Sequence, residues 1–225
     1  MIKLKKSEWF ALTSLFLLSF VPSVGGVLRL VTMNSGLEIL PANPRIHSDP
    51  VPIIFHIIGS VLFCILGAFQ FLPSMRLNYA MWHKLAGRIF IVAGVVSALS
   101  GLWMTNFYSF SKDLQGNLLF IVRIIVGVAM TTFIVLGLRA VISKQIIQHK
   151  AWMIRAYALG QGAGTQVFIT IPWILTVGDP TGITRDLLMT AAWIINILVG
   201  EWIINRSKHH SPTRVEMVRW NTMRS

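Results

Sequence analysis

Apolar residues in this chain gather into six long runs, near 9–30, 51–72, 84–106, 117–140, 150–177 and 186–205, with the polar residues collected between them. The runs do not alternate apolar and polar positions, as the strands of a membrane barrel do. Each reaches the ~20 residues an α-helix needs to cross a hydrocarbon core of ~30 Å. The connectors carry helix breakers: Pro41, Pro44, Pro50, Pro73, Gly116, Asp179-Pro180 and Gly182. The pattern predicts an all-α, multi-pass transmembrane bundle of about six spans. Residues 1–50 hold a first helix and an outer connector, 51–205 the membrane core, and 206–225 a basic tail.

The first run has a second reading. Lys3, Lys5 and Lys6 precede it and small residues follow at Ser23 and Gly25, as in a signal peptide. The apolar stretch from Trp9 to Leu30, interrupted only by Arg29, is longer than a signal core. Length therefore favours a retained helix, peripheral to a core built from the second span onward.

Composition agrees with a membrane class. Hydrophobic residues make up 54% and charged residues 12%, against about 25% charged in soluble domains, and mean hydropathy is +0.66. The net charge of +12 would fit a nucleic-acid partner if the cations formed a stripe on a soluble domain. They flank apolar runs instead, so lipid headgroups and topology explain them, and no nucleic acid is expected. With the N-terminus inside, fifteen of the 20 Lys and Arg collect on the inner side. Arg29, Arg45, Lys112 and Arg185 fall outside, and Arg123 lies within the fourth span. This bias places both termini in the cytoplasm. A single cysteine, Cys64, within an apolar run, excludes an intrachain disulfide and a CxxC motif.

Two basic clusters open apolar runs: His83-Lys84-Leu85-Ala86-Gly87-Arg88 and His149-Lys150-Ala151-Trp152-Met153-Ile154-Arg155. At about 100° per residue, Gly87, Gly94 and Gly101 stay within about 40° of His83, and Ala156, Gly160 and Gly164 within about 60° of His149. Such stripes let helices approach closely and also clear room for a flat cofactor. One reading is a haem b with His83 and His149 as axial ligands at one membrane depth. Lys84, Arg88, Lys150 and Arg155 would then meet propionates or lipid headgroups. The other reading makes both histidines interfacial residues bonded to carbonyls at helix starts.

His56 sits five residues inside the second span, and an ionisable group at that depth raises a functional hypothesis. It reads as a proton relay or as a hydrogen-bonded core histidine, about 20 Å from the inner pair. In a second haem only His47 offers it a partner. Gln70 shares its helical face. Arg123 lies at the depth of His56 and Gln166, so His56, Gln70, Arg123 and Gln166 form a candidate outer polar pocket. Arg123 needs a helix carbonyl, an anionic ligand or an outer carboxylate (Glu38, Asp49, Asp113 or Asp179), unless it snorkels to headgroups. Glu201 is expected to pair with Arg155, Arg88 or Lys150. The glycine-rich stretch Gly160-Gln161-Gly162-Ala163-Gly164 lies mid-span and reads as a bend or packing site. P-loop, dinucleotide-binding, HExxH and GxSxG motifs are absent from the sequence.

Four stretches carry a resemblance: His56-Ile57-Ile58-Gly59 with Gly67-Ala68-Phe69-Gln70-Phe71, His83 to Arg88, and His149 to Ala158. Over about residues 50–205 the chain resembles the bacterial membrane family catalogued as domain of unknown function 2306. The resemblance implies a multi-helix domain in a bacterial inner membrane and no established activity. The arrangement looks only loosely like di-haem membrane cytochromes, whose outer histidine pair this chain lacks. The leading expectation is a haem-binding redox membrane protein with quinone or another small electron carrier as partner. The alternatives are a proton-linked or small-solute transporter and a non-catalytic accessory subunit of a membrane complex.

Overall fold

The structure is a computed structural model that describes residues 4–35 and 44–209, apart from the side chains of Pro44, His47, Lys208 and His209. Glu38, the His47 side chain and the basic tail beyond His209 thus lie outside the described residues, while residues 206–209 of the expected tail extend the last helix. The chain forms, in order, α1 (Lys6–Ser35), α2 (Pro44–Ser48), α3 (Pro50–Gln70), α4 (Pro73–Asn78), α5 (Ala80–Phe107), α6 (Asn117–Ile142), α7 (Ile146–Gly160), α8 (Gly162–Thr176) and α9 (Gly182–His209). Five of them, α1, α3, α5, α6 and α9, are long and apolar enough to cross a membrane. Prolines open α3 and α4 in the first turn, where their missing N–H has no intrahelical partner to lose.

The fifth predicted span is not one helix. It starts at Ile146 and breaks at Gln161 into two helices of 15 residues each. Gly160 and Gly162 make the break possible. A Cβ at Gly160 would lie 2.5 Å from the Phe63 ring, and one at Gly162 would meet the Trp193 indole. Backbone groups freed inside hydrocarbon need partners. Asn196 of α9 supplies one, its Nδ2 donating to the Ala158 carbonyl (3.0 Å), and it ties the other side through a side chain, its Oδ1 accepting from the Thr165 hydroxyl (2.7 Å).

The helices pack α3 on α5, α5 on α6 and α6 on α7, while α9 lies against α6, α7 and α8. Phe63 stacks on Phe90, with centroids 4.3 Å apart and planes within 5°, and Met130, Ile134, Met153, Ala156 and Tyr157 complete the core. The small-residue stripes do not stand open for a flat cofactor. Gly87 faces Gln70, Gly94 faces Phe63 and Gly101 faces His56, all from α3. In the second stripe, Gly160 faces Phe63, and Gly164 meets the backbone of Leu18 in α1. The stripes are seams that large side chains of neighbouring helices fill.

The first span is the least buried of the five, but it is docked at two points. Pro22 has no N–H, which leaves the Leu18 carbonyl four residues earlier without its helical donor, and Gly164 packs against that carbonyl. Next to it, Gln161 Nε2 donates to Ser19 Oγ (3.3 Å). Near the start of α1, the buried Glu8 carboxylate accepts from Ser74 N (2.7 Å) and Ser74 Oγ (2.5 Å) and so caps α4. The helix starts of α1, α5 and α7 and the ends of α3, α6 and α9 therefore share one end of the bundle, here the basic end. The loops at 108–116 and 177–181 share the far end, joined by Gly182 N donating to the Asp113 carbonyl (3.0 Å).

Candidate functional site

A cavity of about 430 Å³ opens within the far half of the bundle, in the size range of small-molecule sites. On α5 its lining runs from Ser97 to Thr105 and continues to Tyr108, a depth of about 16 Å at 1.5 Å per residue. The slot is thus long for its volume. Arg45, Tyr108, Phe110 and Arg123 line its far end, His56, Ser97 and Gln166 its middle, and Cys64, Met130 and Gln161 its deep end. Pro22, Ser23 and Gly26 of α1 close one side. Ala163, in the first turn of α8, is exposed and lines the cavity beside the helix break.

Arg123 dominates the far end. It donates to the Gln115 side-chain oxygen, and its guanidinium carbon lies 5.2 Å from the Phe110 ring centroid. Arg45 stacks on the same ring at 4.5 Å, so two cations share one phenyl face system. Among the described residues no carboxylate forms an ion pair with Arg123. Asp49 instead accepts from Trp103 Nε1 (3.1 Å) at Oδ2 and from the Tyr108 hydroxyl (2.6 Å) at its carbonyl. Burial, and then the Asp49 charge, push the Tyr108 phenol above its ordinary range. Asp186 lies within electrostatic range of Arg123, but its two oxygens accept from Gly116 N and Leu119 N at 3.1 Å each. It caps α6 from α9 and is 1% exposed.

His56 Nδ1 donates to the Ser97 carbonyl at 2.9 Å, as a hydrogen-bonded core histidine does, and its ring lines the cavity. With Nδ1 as donor, the neutral ring keeps Nε2 as an acceptor. Gln166 lines the cavity too. Gln70 does not join them. It ends α3 at the basic end, with Oε1 against Gly87. A shared helical face brought His56 and Gln70 together in the sequence reading, but fourteen residues set them about 21 Å apart along the axis.

At the basic end, His149 Nδ1 donates to the Gly137 carbonyl (2.8 Å). His83 Nδ1 and Gln70 Nε2 are buried atoms without a hydrogen-bond partner, and His149 lies within electrostatic range of His83. Lys84, Arg88 and Lys150 are exposed. Arg155 is committed: its Nε and Nη2 bond the two Glu201 oxygens at 2.5 and 2.9 Å, and its guanidinium stacks 4.7 Å from the Trp152 ring centroid. No cluster of three or more His, Cys, Asp or Glu is placed to hold a metal ion among the described residues.

Three features of the site escape sequence reasoning. Asp186 sits at the start of an apolar run, where a lone carboxylate reads as a solvated helix start. Phe110 lies in a loop without pattern. Gln161 donates through Nε2 to the Tyr157 hydroxyl (2.7 Å), which donates to the Cys64 carbonyl (2.8 Å). The glycines around Gln161 were its only sequence signal.

A family model described as "Predicted membrane protein (DUF2306)" matches residues 53–204. No curated protein and no solved structure matches the chain. The matched stretch begins in α3, ends in α9, and holds His56, Arg123, the helix break and the Asn196 staple, while α1 lies before it. The chain is a member of this DUF2306 membrane protein family.

Proposed function

We propose that this protein binds a small molecule in the membrane, inside the cavity between α1, α3, α5, α6 and the α7–α8 break, as a transport or carrier protein for that solute. The observation that carries the reading is Arg123: a half-buried cation whose described partners are an amide oxygen and a phenyl face, on the wall of a cavity of ligand size. A half-buried charge without an ion pair is only partly solvated, and a ligand that completes it is favoured accordingly. The interrupted helix supports the same reading. Discontinuous helices in membranes are tolerated where they line a cavity, and solute sites form there. The charge bias places the basic end in the cytoplasm, which puts the cavity in the outer half of the membrane.

Ala163→Phe tests the reading, because it projects a ring from an exposed cavity wall without displacing a core side chain. A panel of small anions, amphiphiles and quinones is titrated against the purified protein. A bound member raises Tm, by about 2.7 kcal/mol of stability at a hundred times its Kd. The shift is expected to vanish in Ala163→Phe while the ligand-free Tm is kept. A shift of full size in the variant would overturn the cavity as the site.

A second reading keeps an iron site at His83 and His149. Its support is the Nδ1 bond of His149 to the Gly137 carbonyl, which leaves Nε2 uncommitted in the way that orients ligating histidines, together with the unpartnered His83 Nδ1. Against it stand the filled stripes and the commitment of Arg155 to Glu201. A dithionite-reduced minus oxidised spectrum after expression with ample haem decides it: no α-band sinks this reading.

A further inference from the structure

We infer that the occupant of the cavity is a single-chain amphiphile with an anionic headgroup, held with the headgroup at Arg123 and the chain along the slot toward Gln161. The inference rests on the cavity being the ligand site and names what that site selects.

The far end is cationic. Arg123 and Arg45 stand on one Phe110 ring, and Arg185 lies within electrostatic range of Arg123. Asp186, the carboxylate within electrostatic range of Arg123, has both oxygens on the amide N–H groups of Gly116 and Leu119. A guanidinium has five N–H donors in a fork that matches a carboxylate or phosphate. Arg123 directs Nη1 at Gln115, has no other hydrogen bond described, and lines the cavity. An anion seated there completes a charge that the fold leaves without an ion pair among the described residues.

The chemistry changes with depth. Val126, Gly127 and Met130 continue the α6 wall below Arg123, and Ala98, Cys64 and Leu159 face them. None of these carries a charge. The polar group at the bottom, Gln161, is already bonded to Tyr157 and Ser19. The polar groups midway are largely engaged within the protein, His56 Nδ1 with the Ser97 carbonyl, Ser97 Oγ with Ser60 Oγ and Gln166 Nε2 with the Met189 carbonyl. A wholly polar solute would therefore regain little of its lost hydration there, whereas a hydrocarbon chain gains about 25 cal/mol for each Å² removed from water. The slot, about 16 Å deep for a volume of about 430 Å³, suits one chain. One side of it is the single helix α1, the least buried of the five spans. A molecule that already resides in the bilayer is therefore one helix away.

The experiment uses the full-length protein in nanodiscs of a neutral phospholipid, titrated with dodecanoate, dodecyl phosphate, dodecanol and acetate, with Tm and tryptophan emission as readouts. Trp193 borders the cavity and reports its filling. The anionic amphiphiles are expected to bind at least about tenfold more tightly than dodecanol, the worth of one charge-assisted pair. Acetate is expected not to bind measurably. The stronger of the two anions identifies the headgroup. Arg123→Met should abolish the preference over dodecanol, Arg123→Lys should keep most of it, and Ala163→Phe should weaken every chain-bearing ligand. Equal binding of dodecanoate, dodecyl phosphate and dodecanol overturns the inference, as does an anion preference that survives Arg123→Met. If these amphiphiles fail but another solute binds and is lost in Ala163→Phe, the inference falls and the cavity reading stands. If an anion binds undiminished in Ala163→Phe, the cavity reading falls with it.

Discussion

The two ends of the bundle are built from similar side chains and handle them in opposite ways. At the basic end Arg155 meets Glu201 in a two-pronged ion pair above Trp152, and Glu8 is absorbed into the cap of α4. Toward that end the glycines of α5 and α7 are filled by Phe63 and Gln70. At the far end Arg123 has neutral partners, and a cavity lies where the packing would continue. Close packing and charge pairing stabilise one half. In the other half both are incomplete at the same place. A fold that can satisfy an arginine at one end and leaves another open at the other points to a role for the open one.

This contrast can be tested by substitution, beginning where the packed half should suffer most. In Gly94→Leu the added Cβ already lies 2.5 Å from Phe63 and 2.7 Å from Ile134. We expect about 3 kcal/mol of destabilisation, or failure to fold, read as a lost monodisperse peak and a collapsed Tm. A well-folded variant would mean that the core is looser than the stacked Phe63–Phe90 pair implies. Asp186→Ala removes a cap and leaves without a partner the buried N–H of Leu119 and the half-buried N–H of Gly116. Its expected cost is about 2 kcal/mol in thermal or denaturant unfolding. A neutral outcome would free Asp186 to be a partner of Arg123 and would undo the contrast from the far side.

The smallest effects compare the two arginines directly. Removing Glu201 as Glu201→Gln should cost about 1 kcal/mol, because the pair is partly exposed and screened, and a double-mutant cycle with Arg155→Met should show coupling of that order. Arg123→Met should leave the stability of the ligand-free protein unchanged or raise it by up to about 1 kcal/mol, since a half-buried charge without an ion pair is removed. A loss comparable to Glu201→Gln would show that Arg123 is structural.

Much of the fold could be read from the chain. Long apolar runs bounded by proline and glycine can be satisfied in lipid only by helices that close their own hydrogen bonds, so the spans and most boundaries followed from composition and length. The glycine-rich stretch at 160–164 announced its bend, and Glu201 its partnership with a basic residue. The site was less legible. Helical angles assign a residue to a face but do not say what fills the opposite side, so stripes of small residues looked like empty space when α3 was already filling them. The same angles grouped Gln70 with His56 although they lie at opposite ends of one helix.

The sequence by itself determined a helical membrane protein of the DUF2306 family, its basic end, and the polar residues set within its apolar runs, such as His56, Arg123 and Glu201, because those depend on local periodicity and on the cost of burying charge. Only the tertiary structure decided which of those residues were satisfied. Asp186 spent on the amides of α6, Arg155 spent on Glu201, and Arg123 left with Gln115 and Phe110 on a cavity wall are outcomes of helix placement. Which partner each one meets depends on how the helices are placed, so the local pattern could say that Glu201 needs a basic partner but not that the partner is Arg155.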